Sequence, residues 1–404
     1  MKLLSLEEAR QRIHTYWKPS LKVERVPLSS AVGRVLAEDL TAPIDVPPFD
    51  RSKVDGYAVK AEDTFGANEG EPRTLRVMFQ VAVGSMPIRL LNVGEAAYVT
   101  TGAALPEGAN AVIMVEYTHR RGDLLQVYKA VAPGENVLRR GSDIAKGSIL
   151  LTALTRLTPK EIGLMAAVGI NEVPVFKRPI VAILSTGPEL VETGLPLPLG
   201  KVYDVNSYTL MAYVEAIGCQ YKLLGLVPDS FEELSFKIRE GLKDADVVVV
   251  SGGTSKGETD LLPSVLSSMG KPGVIVHGLS IKPGKPTVIA VVNGKLVIGL
   301  PGNPTSALLV FHVLVKPILS SLLGLGVRKP LTVKAKAAIR MHSAKGRREF
   351  KFVRLKRVNN DIYVVPLESE SESISTFAKA DGYVEIPENV ELIEEEETLE
   401  VYMY

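Results

Sequence analysis

The apolar run DVVVVS leads directly into SGGTSKGETD (251–260). Ser251, Gly252, Gly253, Thr254 and Ser255 offer hydroxyls and backbone amides unobstructed by Cβ atoms, which is what an oxyanion or phosphate requires. Asp260 follows near a helix start, where it would either hold Mg²⁺ against a phosphate or simply cap the helix. The Walker A spacing GxxxxGK[ST] is absent. A second glycine loop, GLPGNP (299–304), also follows a strand-like run and opens a helix, with Asn303 suited to the N-cap and Pro304 just inside. A cap alone would explain that loop equally well. Between the two, IKPGKP (281–286) holds Lys282 and Lys285 in a Pro/Gly frame that reduces the entropy lost on presenting charge to an anion.

Further acids fall at the same kind of position. STGPEL (185–190) carries Glu189, LVPDS (226–230) carries Asp229, and VYDVN (202–206) offers Asp204 and Asn206. Each acid alone reads as a helix cap. Together with Asp260, the two lysines and the two glycine loops, they suit a Mg²⁺-dependent reaction at a phosphate or pyrophosphate. In the N-terminal third, Asp55-Gly56 of PPFDRSKVDGYAV (47–59) reads locally as a turn, and Thr100-Thr101-Gly102 as a loop. VLRRGSDI (137–144) sets Arg139 and Arg140 just before Asp143, either an anion-binding turn or a solvated corner. The basic stretch KGRREFKFVRLKR (345–357) reads as an exposed strand face or as an arginine clamp for phosphate.

The elements that must position these residues are clearest over 178–327. Apolar strands at IVAILS, KLLGLV, DVVVVS, TVIAVV and KLVIGL alternate with helix patterns at 206–218, 230–243, 259–270 and 303–315. That texture predicts a parallel sheet covered on both faces, whose ligands bind beyond the carboxyl ends of the strands. Residues 46–141 read as an inserted β domain, residues 1–45 plus 142–177 as a helical, elongated linker domain, and 328–404 as a C-terminal β domain. The fold class is multidomain α/β and β.

Composition narrows the chemistry. The chain has 404 residues, 46% hydrophobic and 23% charged, with a formal net charge of +1. This balance argues against coating nucleic acid or anionic lipid by bulk charge. Cys219 is the single cysteine and the five histidines are scattered, so thiolate metal sites and HExxH-type zinc sites are excluded. Ser5-x-x-Glu8 predicts a capping box opening an amphipathic helix, not a signal peptide. Residues 306–326 carry His312, Lys316 and Pro317, and predict a buried helix broken at the proline rather than a membrane span. The expected location is cytoplasmic.

Taken in order along the chain, PPFDRSKVDGYAV, TTGA, RRGSDI, STGPEL, DVNSYTL, SGGTSKGETD, IKPGKP and GLPGNP resemble the molybdopterin molybdenumtransferases, the MoeA family, related in animals to the E domain of gephyrin. The resemblance covers essentially the whole chain. It implies four domains, including a molybdopterin-binding-like α/β domain with a parallel-rich sheet and a C-terminal β-barrel-like domain. It also implies a homodimer whose active site lies between the α/β domain of one subunit and parts of the other. The implied reaction joins molybdate to adenylylated molybdopterin and releases molybdenum cofactor and AMP with Mg²⁺ assisting. The upstream partner would be the molybdopterin adenylyltransferase, and neither nucleic acid nor a membrane is expected.

Carried over motif by motif, the resemblance assigns Asp55, Asp143, Glu189, Asp229 and Asp260 to catalysis, with Glu189, Asp229 and Asp260 handling metal. Thr101, Arg139, Lys282 and Lys285 would contact anionic groups. The loops Ser251–Ser255 and Pro301, Gly302, Asn303, Pro304 would cradle phosphate and metalate, with Asp204, Asn206 and Ser371 contributing. The sequence departs from the family pattern at Pro188, Lys53 and Glu372. Scarce glutamine hints at a thermophile, and the same loops would accept tungstate as readily as molybdate. The alternatives are the adenylyltransferase itself, which shares only the α/β domain and an SGGTS-like loop, and a non-catalytic molybdopterin-binding scaffold.

Overall fold

The computed structural model describes residues 3–254, 261–326, 330–367 and 374–404. The chain divides into two compact units, Arg25–Val175 on the one hand and Met1–Glu24 with Phe176–Tyr404 on the other.

The unit Arg25–Val175 is built on a six-stranded sheet in the order Ala111–Met114, Gly56–Val59, Glu95–Val99, Arg73–Val81, Leu124–Val127, Thr118–Arg121. Only the pairing of 73–81 with 95–99 is parallel. Gly56 is required, because a Cβ there would lie 1.9 Å from the Ile113 carbonyl oxygen. Tyr57, Val59, Leu75, Ile113, Leu125 and Val127 form a core on one side. The chain on either side of this sheet closes on itself through Leu40–Thr41 against Ile149–Leu151 and the Val46–Ile144 bridge. Helix Pro159–Ala167 begins with a Thr158/Glu161 capping box and Pro159 in its first turn.

In the second unit, strands run in the order Gln220–Val227, Ile180–Thr186, Val247–Ser251, Lys295–Leu300, Val288–Val292, Pro272–His277. Alternate residues of one strand enter opposite cores. Val181, Ile183, Val247, Val249, Leu296 and Ile298 pack on one face, while Ala182, Leu184, Val248, Val250 and Val297 pack on the other. This is why these strands read as apolar throughout. The first four are mutually parallel, but Val288–Val292 runs against them and pairs antiparallel with both of its neighbours. The cause is local: Asn293 (φ 50°) and Gly294 (φ 79°) make a two-residue hairpin turn between 288–292 and 295–300. Strand Pro272–His277 was not expected from the sequence.

Helix Leu6–Tyr16, opened by the Ser5/Glu8 capping box, belongs to this unit and not with residues 25–45. Its apolar face (Leu6, Ala9, Ile13, with Trp17) is buried in the same core as Ile275 and Leu279, and Arg12 donates to the Ile275 carbonyl at 2.9 Å. Helix Pro304–Leu322 is unbroken at Pro317. Its middle turn, Phe311–Val315, is π-helical, and Pro317 falls in the first turn of the α-helical segment that follows. Among the described residues it is the one helix long and apolar enough to cross a membrane, and 72% of its most apolar window is buried inside the fold. Cys219 is buried, which pushes its thiol up to about 12. The C-terminal strands Arg348–Val358, Asp361–Pro366, Thr332–Ala337, Thr398–Met403 and Gly382–Ile386 pair in that order. The last returns to the first and closes a barrel.

Candidate active site

Strand register brings the predicted loops together. Thr186 pairs with Val227, Ser185 with Ser251, and Ser251 with Leu300, so these parallel strands end side by side. The loops that follow carry Glu189, Asp229, Gly252–Thr254 and Pro301–Asn303 respectively. Strand Val288–Val292 starts at the same edge, with Val288 opposite Gly299, so the IKPGKP loop leading into it is delivered there too.

The glycine loop leaves no room for a side chain. Gly252 has φ 95°, and a Cβ on it would lie 2.0 Å from the Thr186 carbonyl oxygen. Its N–H donates to Leu300 O at 3.2 Å. Several hydroxyls that the sequence offers to a ligand are instead spent inside the fold. Ser251 is buried and accepts from Asn206 Nδ2 at 2.7 Å, and Thr254 is buried and donates to Leu300 O at 3.3 Å. Among the described residues of the loop, the donors that face no such partner are backbone amides.

Asn206 locks the two glycine loops to each other. Its Nδ2 also donates to Gly302 O at 2.8 Å, which fixes the amide orientation because a carbonyl only accepts. Its Oδ1 is buried without a partner among the described residues. Asn303 caps helix Pro304–Val310 and accepts from the Thr305 hydroxyl at 2.9 Å. A Cβ on Gly302 would lie 3.6 Å from Gly252 Cα, so the loops abut.

The carboxylates divide by exposure. Asp204 is 5% exposed and points inward, accepting from the Ser185 hydroxyl at 3.0 Å and the Ser207 N–H at 3.1 Å. It holds the start of helix Asn206–Ile217. Asp229 and Glu189 are exposed. Asp229 accepts a hydrogen bond from the Thr186 hydroxyl, and the Glu189 carboxylate lies over Gly187. Pro188, where the family pattern has an acid, offers its carbonyl to Lys201 Nζ. Ser255, Asp260, Ser371 and Glu372 lie outside the described residues. Among the described residues no group of three or more His, Cys, Asp or Glu is placed to hold a metal.

Lys282 and Lys285 differ in their surroundings. Lys282 Nζ lies 3.1 Å from Glu349 Oε1, a barrel residue. Lys285 is half-buried, and its carbonyl accepts from Leu279 N–H at 2.9 Å. Arg348, in the basic stretch read as a clamp, is taken up by Glu7 at 2.7 Å and Glu385 at 3.1 Å.

The other predicted residues gather in the unit Arg25–Val175. Segment 46–55 is held on one side by Gly102 N–H to Ser52 O (2.8 Å) and on the other by Lys53 N–H to Asn136 O (2.9 Å) and Asp143 N–H to Val46 O (3.0 Å). The loops of Thr101 and of Arg139 and Asp143 are thereby laid along the segment that ends in Asp55. Asp55 Oδ1 accepts from the Thr101 N–H at 2.6 Å and its hydroxyl at 2.8 Å, and these two bonds hold its carboxyl below the usual carboxylate range. Arg140 is committed to Asp45 at 2.6 Å, with its N–H on Asp50 at 2.7 Å. Arg139 and Asp143 are exposed. Sequence reasoning missed Thr186, Asp45 and Glu349; the last was legible only as a lone acid within a run of cations.

Comparison with known proteins agrees with this architecture. Residues 4–169 match the MoeA N-terminal region (domain I and II), residues 182–321 a probable molybdopterin binding domain, and residues 334–404 the MoeA C-terminal region (domain IV). The chain is 36% identical over 350 residues to the molybdopterin molybdenumtransferase of Haemophilus influenzae, covering 86% of this chain and 85% of that one. It is 32% identical over 409 residues to the enzyme of the same name from Bacillus subtilis, covering 99% and 94%. The crystal structure of a molybdopterin biosynthesis MoeA protein from Pyrococcus horikoshii superposes with a TM-score of 0.90 at 42% identity, covering 100% of this chain and 99% of that one. With the motifs in order, the closed C-terminal barrel and relatives matching over nearly their full length, the chain belongs to the MoeA family of molybdopterin molybdenumtransferases.

Proposed function

We propose that the protein is a molybdopterin molybdenumtransferase that joins molybdate, or the near-isosteric tungstate, to adenylylated molybdopterin and releases AMP. The observation that carries this reading is the shared edge at which two interlocked glycine loops, Asp229, Glu189 and the IKPGKP loop meet. A tetrahedral oxyanion suits the amides of Gly253 and Gly302, which have no partner among the described residues, with Lys285 and Lys282 adding positive charge. Two exposed carboxylates suit Mg²⁺, which typically takes one or two protein acids and completes its shell with substrate phosphate oxygens and water. Glu189 and Asp229 would hold it, and when bound it would supply charge neutralisation at the pyrophosphate. The Thr186 hydroxyl orients Asp229 for that task.

Asp55, ionised at neutral pH and pinned by Thr101, serves with Arg139 and Asp143 as the second half of the catalytic set. These residues belong to a different compact unit from the sheet edge. We read the enzyme as a cytoplasmic homodimer in which each site draws its halves from both subunits, fed by the molybdopterin adenylyltransferase.

The test combines purified protein, adenylylated molybdopterin, Mg²⁺ and molybdate. Release of AMP that depends on molybdate supports the transferase; binding without AMP release points to a scaffold. Tungstate substituted for molybdate is expected to work as well, and calorimetric titration with both salts checks it. Mixing Asp55→Asn with Asp229→Asn protein tests the shared site, because partial recovery of activity requires halves from two chains.

A further inference from the structure

Glu349 is second in barrel strand Arg348–Val358 and only 5% exposed. Both carboxylate oxygens are engaged. Oε2 accepts from the Ser343 hydroxyl at 2.8 Å and the Ala344 N–H at 3.2 Å, while Oε1 faces the ammonium groups of Lys282 at 3.1 Å and Lys351 at 3.3 Å. The backbone reinforces this contact, since Ile281–Lys282 pairs in parallel with Arg348–Glu349 and Arg348 N–H donates to Ser280 O at 3.3 Å. The barrel thus grips the IKPGKP loop by its main chain and by charge at the same residue.

One lysine neutralises a buried carboxylate; two on the same oxygen leave the cluster positive. Lys282 keeps 53% of its side chain exposed, so its ammonium can donate outward while one side rests on Glu349. Such a pair contributes little to stability beyond what apolar packing would supply. What it does supply is a fixed position for a long, flexible side chain, removing rotamer entropy otherwise lost when an anion binds. Burial alone would raise the Glu349 pKa, but Ser343, Lys282, Lys351 and Ala344 together hold the carboxyl below its ordinary value and therefore ionised at neutral pH.

We infer that Glu349 is a positioning residue that aims the Lys282 ammonium at the anionic group bound at the sheet edge, so that the barrel takes part in the reaction through this pair. The inference rests on the transferase reading, and its test separates the two. Glu349→Gln keeps the shape and an acceptor for Ser343. The first readout needs no turnover: acylation of Lys282 by an amine-directed reagent, followed by peptide mass spectrometry. Loss of the carboxylate frees the amine, and Lys282 is expected to label about fivefold faster than in the unsubstituted protein. Equal labelling overturns the inference.

In the AMP-release assay, Glu349→Gln is expected to lower kcat about tenfold with little change in KM for molybdate. Adding it to Lys282→Ala should cost nothing further, because residues acting through one another are not additive. A further tenfold loss in that background overturns the positioning role. Glu349→Asp should regain part of kcat; if it and Glu349→Gln instead lose thermal stability alike with labelling unchanged, the residue is merely structural and the inference fails. Absence of AMP release from the unsubstituted protein, with the labelling difference intact, would refute the reaction reading while supporting the Glu349–Lys282 pair.

Discussion

The carboxylates at the sheet edge and the carboxylate of the β unit are held by different means. At the sheet edge, buried polar side chains do the holding: Asn206 ties Ser251 to Gly302, Asp204 ties Ser185 to Ser207, and Thr186 orients the exposed Asp229. In the β unit, Asp55 is pinned by its immediate partner Thr101, and the loops around it are zipped by main-chain hydrogen bonds. A buried network is unforgiving, because each lost partner strands another group away from water. An exposed carboxylate held by one neighbouring loop can be altered with little structural consequence. Substitutions should therefore separate stability from turnover differently in the two regions.

The largest effect is expected from Gly252→Ala, where both the positive φ and the Thr186 carbonyl forbid a Cβ. About 3 kcal/mol of stability should be lost in denaturant melts, together with all measurable activity. A well-folded, active variant would show that the loop rearranges freely.

Next come Asp229→Asn and Asp55→Asn. Each should lower AMP release about 100-fold with melting temperature nearly unchanged, since both side chains are exposed. A stability loss in Asp55→Asn as large as in buried-network variants would break the comparison.

Asn206→Ala sharpens it from the other side. Leaving the buried Ser251 hydroxyl without its donor, and the Gly302 carbonyl without its tie, should cost about 2 kcal/mol, with turnover falling as the loops separate. Unchanged stability would mean that the two loops hold themselves.

A last effect, on stability and not on turnover, concerns a buried group in the helix that follows the GLPGNP loop. His312 is packed among Tyr213, Phe311, Phe377 and Tyr404, and burial drives its pKa from 6.5 to about 3. The unfolded chain takes up the proton first, so stability is unaffected above about pH 6.5 and falls as pH drops from there towards 3. The slope should approach about 1.4 kcal/mol per pH unit. His312→Phe should flatten it in melts between pH 7 and 5 relative to the unsubstituted protein.

Legibility followed locality. The capping boxes at Ser5 and Thr158, the N-cap at Asn303 and the apolar strands of the α/β portion are determined by a few adjacent residues. The direction of strand Val288–Val292 was misjudged although Asn293-Gly294 stood in plain view, because apolar runs do not reveal strand direction. Pro317 misled for a related reason: a proline forbids one hydrogen-bond pattern, and a π-helical turn before it leaves the helix continuous.

The sequence by itself determined the order of the motifs, the glycine loops and the residue types available at each loop. Such features depend on backbone conformations and hydrogen-bonding groups encoded within a few positions. Only the tertiary structure decided which hydroxyls and acids remain open to a ligand. Ser251, Thr254 and Asp204 are spent on neighbours brought in from other strands, while Asp229 and Glu189 stay exposed. The grip of Glu349 on Lys282, across residues far apart in the chain, likewise depends on the barrel strand lying beside the loop. Burial and pairing are properties of what lies across the gap, and no local stretch of chain contains its own neighbour.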